Sequence, residues 1–161
     1  GSSDGEALDS AGIMREHTYR IDVDGIVWFG DEWYEDPVVY RAFFDNLTRT
    51  SDGRLHADCL GERCWIEPED APFVVQGIDI AGDGSRATLV LTGGIEETLD
   101  PATLEVGRDS VLYAKVKTGA FRARFTRKAY YELARHIAPK NGAFVLELGG
   151  KAWAIAGAPP P

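Results

Sequence analysis

Apolar and polar side chains alternate through most of this chain, and each alternating run is soon broken by a glycine, a proline or an Asp-Gly pair. That pattern restricts the fold more than any other feature, because a period of two buries one face of a strand and does not suit a helix. In TYRIDV (18–23), Tyr19, Ile21 and Val23 alternate with Arg20 and Asp22. Asp24-Gly25 then reads as a two-residue hairpin turn, since glycine accepts the positive φ such turns require, and Gly30-Asp31 offers a second turn. Residues 18–34 are therefore expected to form a strand meander. Later in the chain FVVQGIDIA, RATLVLTGG, EETLD, SVLYAKVK and AFRARF read as short strands, separated by turn signals such as Gly82-Asp83-Gly84 and Thr118-Gly119. AFVLELG and AWAIAG form a last pair across Gly149-Gly150.

Two segments change to helical spacing. In DPVVYRAFFDNLTRT (36–50), Val39, Tyr40, Phe43, Phe44 and Leu47 form one stripe, Asp36 is placed to cap, and Pro37 falls in the first turn, where proline is tolerated. Ser51-Asp52-Gly53 ends that helix. In TRKAYYELARHIAP (126–139), Thr126 caps, Tyr130, Leu133, Ala134 and Ile137 face inward, and Pro139 closes the helix. The fold class that follows is α+β, with two main helices among roughly ten short, mostly antiparallel strands. A chain of 161 residues holds one compact domain or two small subdomains sharing a core. No internal repeat at solenoid period is visible.

The run CLGERCWIEPEDAPFVV (59–75) gathers both cysteines, several charges and two prolines. A hairpin about Gly61-Glu62 places Leu60 opposite Arg63, Cys59 opposite Cys64 and Ala57 opposite Ile66. Leu55, Ala57, Cys59, Cys64 and Ile66 then share an apolar face, with His56, Asp58, Trp65 and Glu67 on the other. A zinc site needs three or four converging ligands, and this arrangement sends the thiols and His56 apart, so the cysteines read as core thiols. Facing cysteines beside a turn approach closely enough for a disulfide in an oxidising setting. EPEDAPF reads as a proline-fixed acidic turn; the alternative is a hard-cation site from Glu67, Glu69 and Asp70, with Glu62.

Several chemistries find no support. No G-x-S-x-G elbow is present, the serines lie in tails or turns, and His17, His56 and His136 are isolated in sequence. TGGIEET and GDGS lack the lysine and spacing of a phosphate loop. These points argue against an enzyme and against any cofactor or metal. No apolar run reaches the ~20 residues that span a bilayer, and the opening GSSDGEALDSAG has neither a basic region nor an apolar one. The expectation is a cytoplasmic protein with reduced cysteines. The net charge of −9 is uneven: residues 1–80 balance at −12 and residues 81–161 at +3. Neither nucleic acid nor an anionic membrane is expected as a partner of so acidic a chain.

One basic constellation stands out in the second half. In YAKVKTGAFRARFTRK, Ala114 and Val116 face one way and Lys115 and Lys117 the other, while Phe121, Ala123 and Phe125 pack and Arg122 and Arg124 project. Arg127 and Lys128 follow in the first helical turn, where cations oppose the helix dipole. Arg122, Arg124, Arg127 and Lys128 are thus candidate ligands for a phosphate- or carboxylate-bearing molecule. Their alternative role is to pair with the acidic half of the chain. Among the tryptophans Trp28, Trp33, Trp65 and Trp153, which read as packing or as the lining of a sugar or peptide groove, Trp65 is a candidate for recognition because it shares a face with His56 and Glu67.

The stretch DGIVWFGDEWYEDPVVYRAFFDNLTRTSDGRLHAD…GERCWIEPEDAPFVV resembles a bacterial family catalogued as domain of unknown function 1285. Glu62 and the run Glu69, Asp70, Ala71, Pro72 and Phe73 match that family's acidic segment; LVLTGGIEETLD and FRARFTRKAYYELA resemble its later strands and second helix. Pro68 stands where an aliphatic residue is usual, and Asp58-Cys59-Leu60 replaces a typical Thr-Pro-Val. The resemblance covers residues 19 to 157 and implies a cytoplasmic α+β protein of two small roll-like subdomains, with no activity to carry over. The organisation expected is a tail at 1–13, an α+β subdomain at 14–72, a β-rich subdomain with one helix at 73–157 and a tail at 158–161. The functional expectation is a non-catalytic module acting through a protein partner or a second copy of itself. A sensor or carrier of a small anion is the alternative, and an enzyme with a dispersed site comes last.

Overall fold

Asp22 decides how the first strands connect. In the computed structural model, which describes residues 15–59 and 61–157, its Oδ1 accepts from the backbone amides of Asp24 and Ile26, both at 2.9 Å, and its Oδ2 accepts from Trp28 Nε1 at 2.9 Å. The carboxylate thereby widens the expected Asp24-Gly25 hairpin: Ile21 pairs with Val27, and Val23 is exposed rather than inward. The strands so joined are β1 (Glu16–Ile21) and β2 (Val27–Phe29), and β3 (Glu32–Tyr34) follows a two-residue turn in which Gly30 takes φ +61°. Helix α1 (Pro37–Asp45) starts at Asp36, whose side chain accepts from Val38 N. It stops short of residue 50. Asn46 leaves helical geometry and donates its side-chain amide to Ala42 O, and Thr48–Arg49 pairs as strand β4 instead. Leu47 therefore lies outside the helix, and the buried stripe is Tyr40, Phe43 and Phe44.

Strands β5 (Leu55–Cys59) and β6 (Glu62–Pro68) form the cysteine hairpin, two residues away from the expected register. Cys59 pairs with Glu62, Asp58 with Arg63, Ala57 with Cys64 and Leu55 with Ile66. Gly61, with φ +77°, directly precedes Glu62 and so takes the last place of the turn rather than the first place that a Gly61-Glu62 turn gave it. Because a shift of two residues is a whole strand period, each side chain keeps its face. The two cysteines are no longer opposite one another, and both are free thiols. The chain divides after Pro72 into two units. In the first, the sheet order is β3-β2-β1-β6-β5-β4, antiparallel except for the central β1/β6 pair. Helix α1 covers the face of Tyr19, whose ring lies 4.8 Å from that of Phe43, and the Tyr40 hydroxyl donates to Tyr34 O while accepting from Val27 N.

The second unit repeats that plan. Strands β7 (Phe73–Ile80), β8 (Ala87–Leu91) and β9 (Glu96–Thr98) run outward from the centre; β10 (Glu105–Val106), β11 (Leu112–Val116) and β12 (Phe121–Phe125) return to it. The order β10-β11-β12-β7-β8-β9, with β12 parallel to β7, matches the first sheet strand for strand. The helix has moved. Helix α2 (Arg127–Ala134) follows the sixth strand, whereas α1 lies between the third and fourth. A three-stranded sheet of β13 (Ile137–Lys140), β14 (Ala143–Leu148) and β15 (Lys151–Ala154) completes the unit. The second helix thus ends five residues before Pro139, which sits in edge strand β13, where a missing amide hydrogen is tolerated. Among the described residues fifteen strands replace the roughly ten expected, because several two- and three-residue pairings carry no alternation to detect.

The fold is α+β, and its core in the second unit is built on Phe73, Val75, Leu89, Leu91, Leu133 and Leu146, all essentially inaccessible. Thr92, fully buried, exchanges hydrogen bonds with the backbone of Val74, so its hydroxyl is satisfied. No helix among the described residues is long and apolar enough to cross a membrane. The tails expected at 1–13 and 158–161, and Leu60, lie outside the described residues.

Candidate functional site

Strand β12 buries Phe121, Ala123 and Phe125 and turns Arg122 and Arg124 to the other face, as a period of two requires. Arg122 goes to a neighbour: its guanidinium carbon lies 3.9 Å from the centroid of Tyr113, and Nη2 is 3.4 Å from Glu105 Oε1. Gly107 makes that arrangement possible, since a Cβ there would stand 2.8 Å from the Tyr113 ring. Thr126 caps α2 by accepting from Ala129 N at 3.1 Å. One turn in, Lys128 Nζ lies 3.0 Å from Glu132 Oε2, while Glu132 Oε1 accepts from Ile78 N at 2.9 Å beside the irregularity between Val75 and Gly77. The Ile78 amide, followed by Lys128, holds the Glu132 carboxyl below the usual range. Both cations therefore meet carboxylates of their own unit rather than of the acidic N-terminal half.

Arg124 and Arg127 line a cleft of about 370 Å³ together with Tyr130, Tyr131, Asp109 and Ser110. The sequence places all four cations together; the structure brings two of them to one opening. Tyr130, expected to face inward, is 38% exposed at its edge, and Arg127 has no hydrogen bond or ion pair among the described residues. The opposite rim is the loop closed by Gly107 N donating to Val111 O at 2.8 Å, in which Asp109 and Ser110 hold φ of +57° and +60°. Two consecutive non-glycine residues in the left-handed region cost free energy, and such strain gathers at ligand clamps. Beside the cleft, sharing Ser110, Leu112 and Tyr130 with it, is a chamber of about 260 Å³ walled by Leu112, Ala134, Ile137, Phe144 and Ile155. No sequence signal reveals this chamber, because its walls come from β11, α2, β13, β14 and the segment after β15.

A second cluster lies on the face of the first sheet opposite α1. Trp65 shares that face with His56, as expected, and with two arginines the sequence reading passed over. The Arg54 guanidinium carbon stands 3.6 Å from the Trp65 centroid, and that of Arg63 stands 5.8 Å away. Arg63 donates to both oxygens of Asp58, at 3.0 and 3.1 Å, and His56 Nδ1 is 3.0 Å from Asp58 Oδ1. The Arg63 guanidinium holds the Asp58 carboxyl below its ordinary range. Trp65 Nε1 donates to Glu16 Oε1, and Arg20 lies 5.0 Å from the Trp28 centroid on the same face. Every charge named here has a partner, so the cluster is a cross-strand ladder. His-x-Asp at positions 56 and 58 was its one legible signal, since residues two apart in a strand share a face.

The acidic residues near 62–70 do not converge. Glu62 and Glu67 lie on opposite faces of β6, and Arg20 pairs with Glu69. Among the described residues no group of three or more His, Cys, Asp or Glu is placed to hold a metal ion. The Cys59 thiol donates to Ala42 O at 3.4 Å, and its hydrogen bond with Cys64, together with burial, pushes the Cys64 thiol up. Burial also pushes the Tyr19 phenol up to about 12.

No family model matches the sequence, and no curated protein is similar to it. Two solved structures share the fold. A DUF1285 family protein from Silicibacter pomeroyi DSS-3 has a TM-score of 0.69 at 21% identity, covering 89% of this chain and 82% of its own. A DUF1285 family protein from Shewanella baltica OS155 has a TM-score of 0.59 at 17% identity, covering 73% and 90%. At these identities the likeness is one of fold, and it agrees with the fold that the sequence resemblance implies.

Proposed function

We propose that this chain, which has the fold of DUF1285 family proteins, is a non-catalytic module that binds a small anion in the cleft of its second unit. One observation carries the reading: Arg124 from a strand and Arg127 from a helix line the same opening, where the Arg127 guanidinium has no ion pair among the described residues. Two guanidinium groups on separate rigid elements form a preorganised fork for a carboxylate or phosphate. The test is thermal unfolding of the purified chain against carboxylates and phosphorylated metabolites, repeated with Arg127→Ala. Ligand at a hundred times its Kd stabilises by ~2.7 kcal/mol, and the variant is expected to lose that gain. Equal stabilisation of both proteins, or of neither, would overturn the proposal.

A second reading, a protein partner or self-association, draws on the first unit. Trp33 is 50% exposed beside Trp28 on the sheet face opposite α1, a large apolar side chain left open to a partner. Sedimentation of the intact chain and of Trp33→Ser separates the two: self-association through this surface gives a concentration-dependent mass that the variant lacks.

A further inference from the structure

We infer that Cys59 and Cys64 are a reversible redox site whose oxidant is a hydroperoxide, with Cys59 as the attacking thiol and Cys64 as the resolving one. The site lies in the first unit and does not depend on the anion cleft of the second. The chain has only two cysteines, and the hairpin register puts both on one sheet face, on adjacent strands. Cys64 pairs with Ala57, two residues before Cys59, so the thiols are diagonal neighbours. They form a chain of donors: Cys64 hydrogen-bonds Cys59, and the Cys59 thiol donates to Ala42 O of α1 at 3.4 Å. Diagonal partners stand about 7–8 Å apart at Cα, beyond the usual span of a disulfide, although these sulfurs already meet. A bond between them is therefore strained and easily reduced, which suits a reversible role better than a structural one.

The two thiols are not equivalent. Cys59 is half-buried, whereas Cys64 is only 4% exposed. The Cys64 hydrogen bond holds the Cys59 thiol below its ordinary range, against burial and the Asp58 carboxylate; the same bond, followed by burial, pushes Cys64 up. The accessible sulfur thus carries the larger thiolate fraction, and a thiol in reserve touches it. In the first step Cys59 sulfur attacks a peroxide oxygen, the O–O bond breaks, and the departing oxygen takes the Cys59 proton and leaves as water. Cys64 sulfur then attacks the resulting Cys59 sulfenic acid. The S–S bond forms as the S–O bond breaks, and hydroxide leaves with the Cys64 proton as a second water. The two sulfurs give up the two electrons that hydrogen peroxide accepts.

The test treats the reduced, folded chain with hydrogen peroxide, alkylates the remaining thiols and digests with trypsin. Arg63 lies between the cysteines, so cleavage after it leaves peptides 55–63 and 64–86 joined only by a disulfide. The expected result is that joined pair, lighter by two hydrogens than the separate peptides together, and parted by dithiothreitol. Cys64→Ser should stop at a Cys59 sulfenic acid that dimedone traps, and Cys59→Ser should leave Cys64 unreactive. If a variant does not fold, the joined peptides of the unaltered chain decide. Separate peptides after peroxide, a bond that links two chains instead, or Cys64 reacting without Cys59 would each overturn the inference.

Discussion

The two six-stranded sheets share one strand order and one central parallel pair, yet they treat their arginines differently. In the first, α1 enters between β3 and β4 and lays Tyr40, Phe43 and Phe44 on one face, while on the other Arg63 meets Asp58 and Trp65. In the second, Arg122 of β12 repeats that role against Glu105 and Tyr113. The next cations along, however, reach a cleft. The helix accounts for the difference. Placed after the sixth strand, α2 buries only Ala129 and Leu133, and its exposed Tyr130 and Tyr131 stand beside the loop of Asp109 and Ser110. The same topology thus gives a covered sheet or a recessed opening according to where the helix is inserted and how large its inward side chains are.

The largest effect that sharpens this contrast belongs to Phe44, 1% exposed beneath α1. Phe44→Ala is expected to cost ~3–5 kcal/mol, from lost burial and an unfilled cavity. Denaturant unfolding read by tryptophan fluorescence reports it directly, because Trp28, Trp33 and Trp65 all lie in the first unit. A cost below about 1 kcal/mol would mean that α1 does not hold that sheet, and the comparison would break there.

Gly107 comes next. Its backbone is in the extended region, so alanine is allowed locally, but the new Cβ meets Tyr113 at 2.8 Å. Tyr113 is 6% exposed and carries Arg122 on its ring, so it has little room to yield. Gly107→Ala should therefore cost ~1–3 kcal/mol by overpacking in a urea titration. Near-ultraviolet circular dichroism should register the displaced tyrosine. Unchanged stability and spectrum would show that the Arg122–Tyr113 stack is loose, and that the two sheets do not use their strand arginines alike.

Much of this architecture was legible, and what was missed has a physical cause. Both helix starts could be read because Asp36 and Thr126 cap through short-range bonds that depend only on neighbouring residues. Both helix ends could not: apolar spacing runs on past Asp45 and Ala134, but Thr48–Arg49 and Ile137–Lys140 gain more from pairing with distant strands. The faces of the cysteine hairpin could be read from period two, while its register depended on which loop position Gly61 occupies. The duplicated strand order leaves no repeat in the sequence, since topology constrains hydrogen-bonding partners and not residue identity. Arg124 and Arg127 could be named as cations near a helix start. Their separation from Arg122 and Lys128 depended on Glu105 and Glu132, one from a remote strand and one a helical turn away.

The smallest effect concerns the ladder that keeps the first sheet's charges paired. Asp58 and Arg63 are cross-strand partners joined by two hydrogen bonds, with side chains 44% and 35% exposed. Solvent screens such a pair, so a double-mutant cycle of Asp58→Asn and Arg63→Met should give a coupling of only ~0.2–1 kcal/mol at neutral pH. Because Arg63 holds the Asp58 carboxyl below its ordinary value of 3.8, the folded state binds this proton less readily than the unfolded state does. The coupling is then fully present above pH 3.8 and fades as pH falls through the lower folded value. Repeating the cycle across that window gives the direction as well as the size. A coupling that instead persists unchanged at the lowest pH would mean that the pair acts through shape and hydrogen bonding rather than charge.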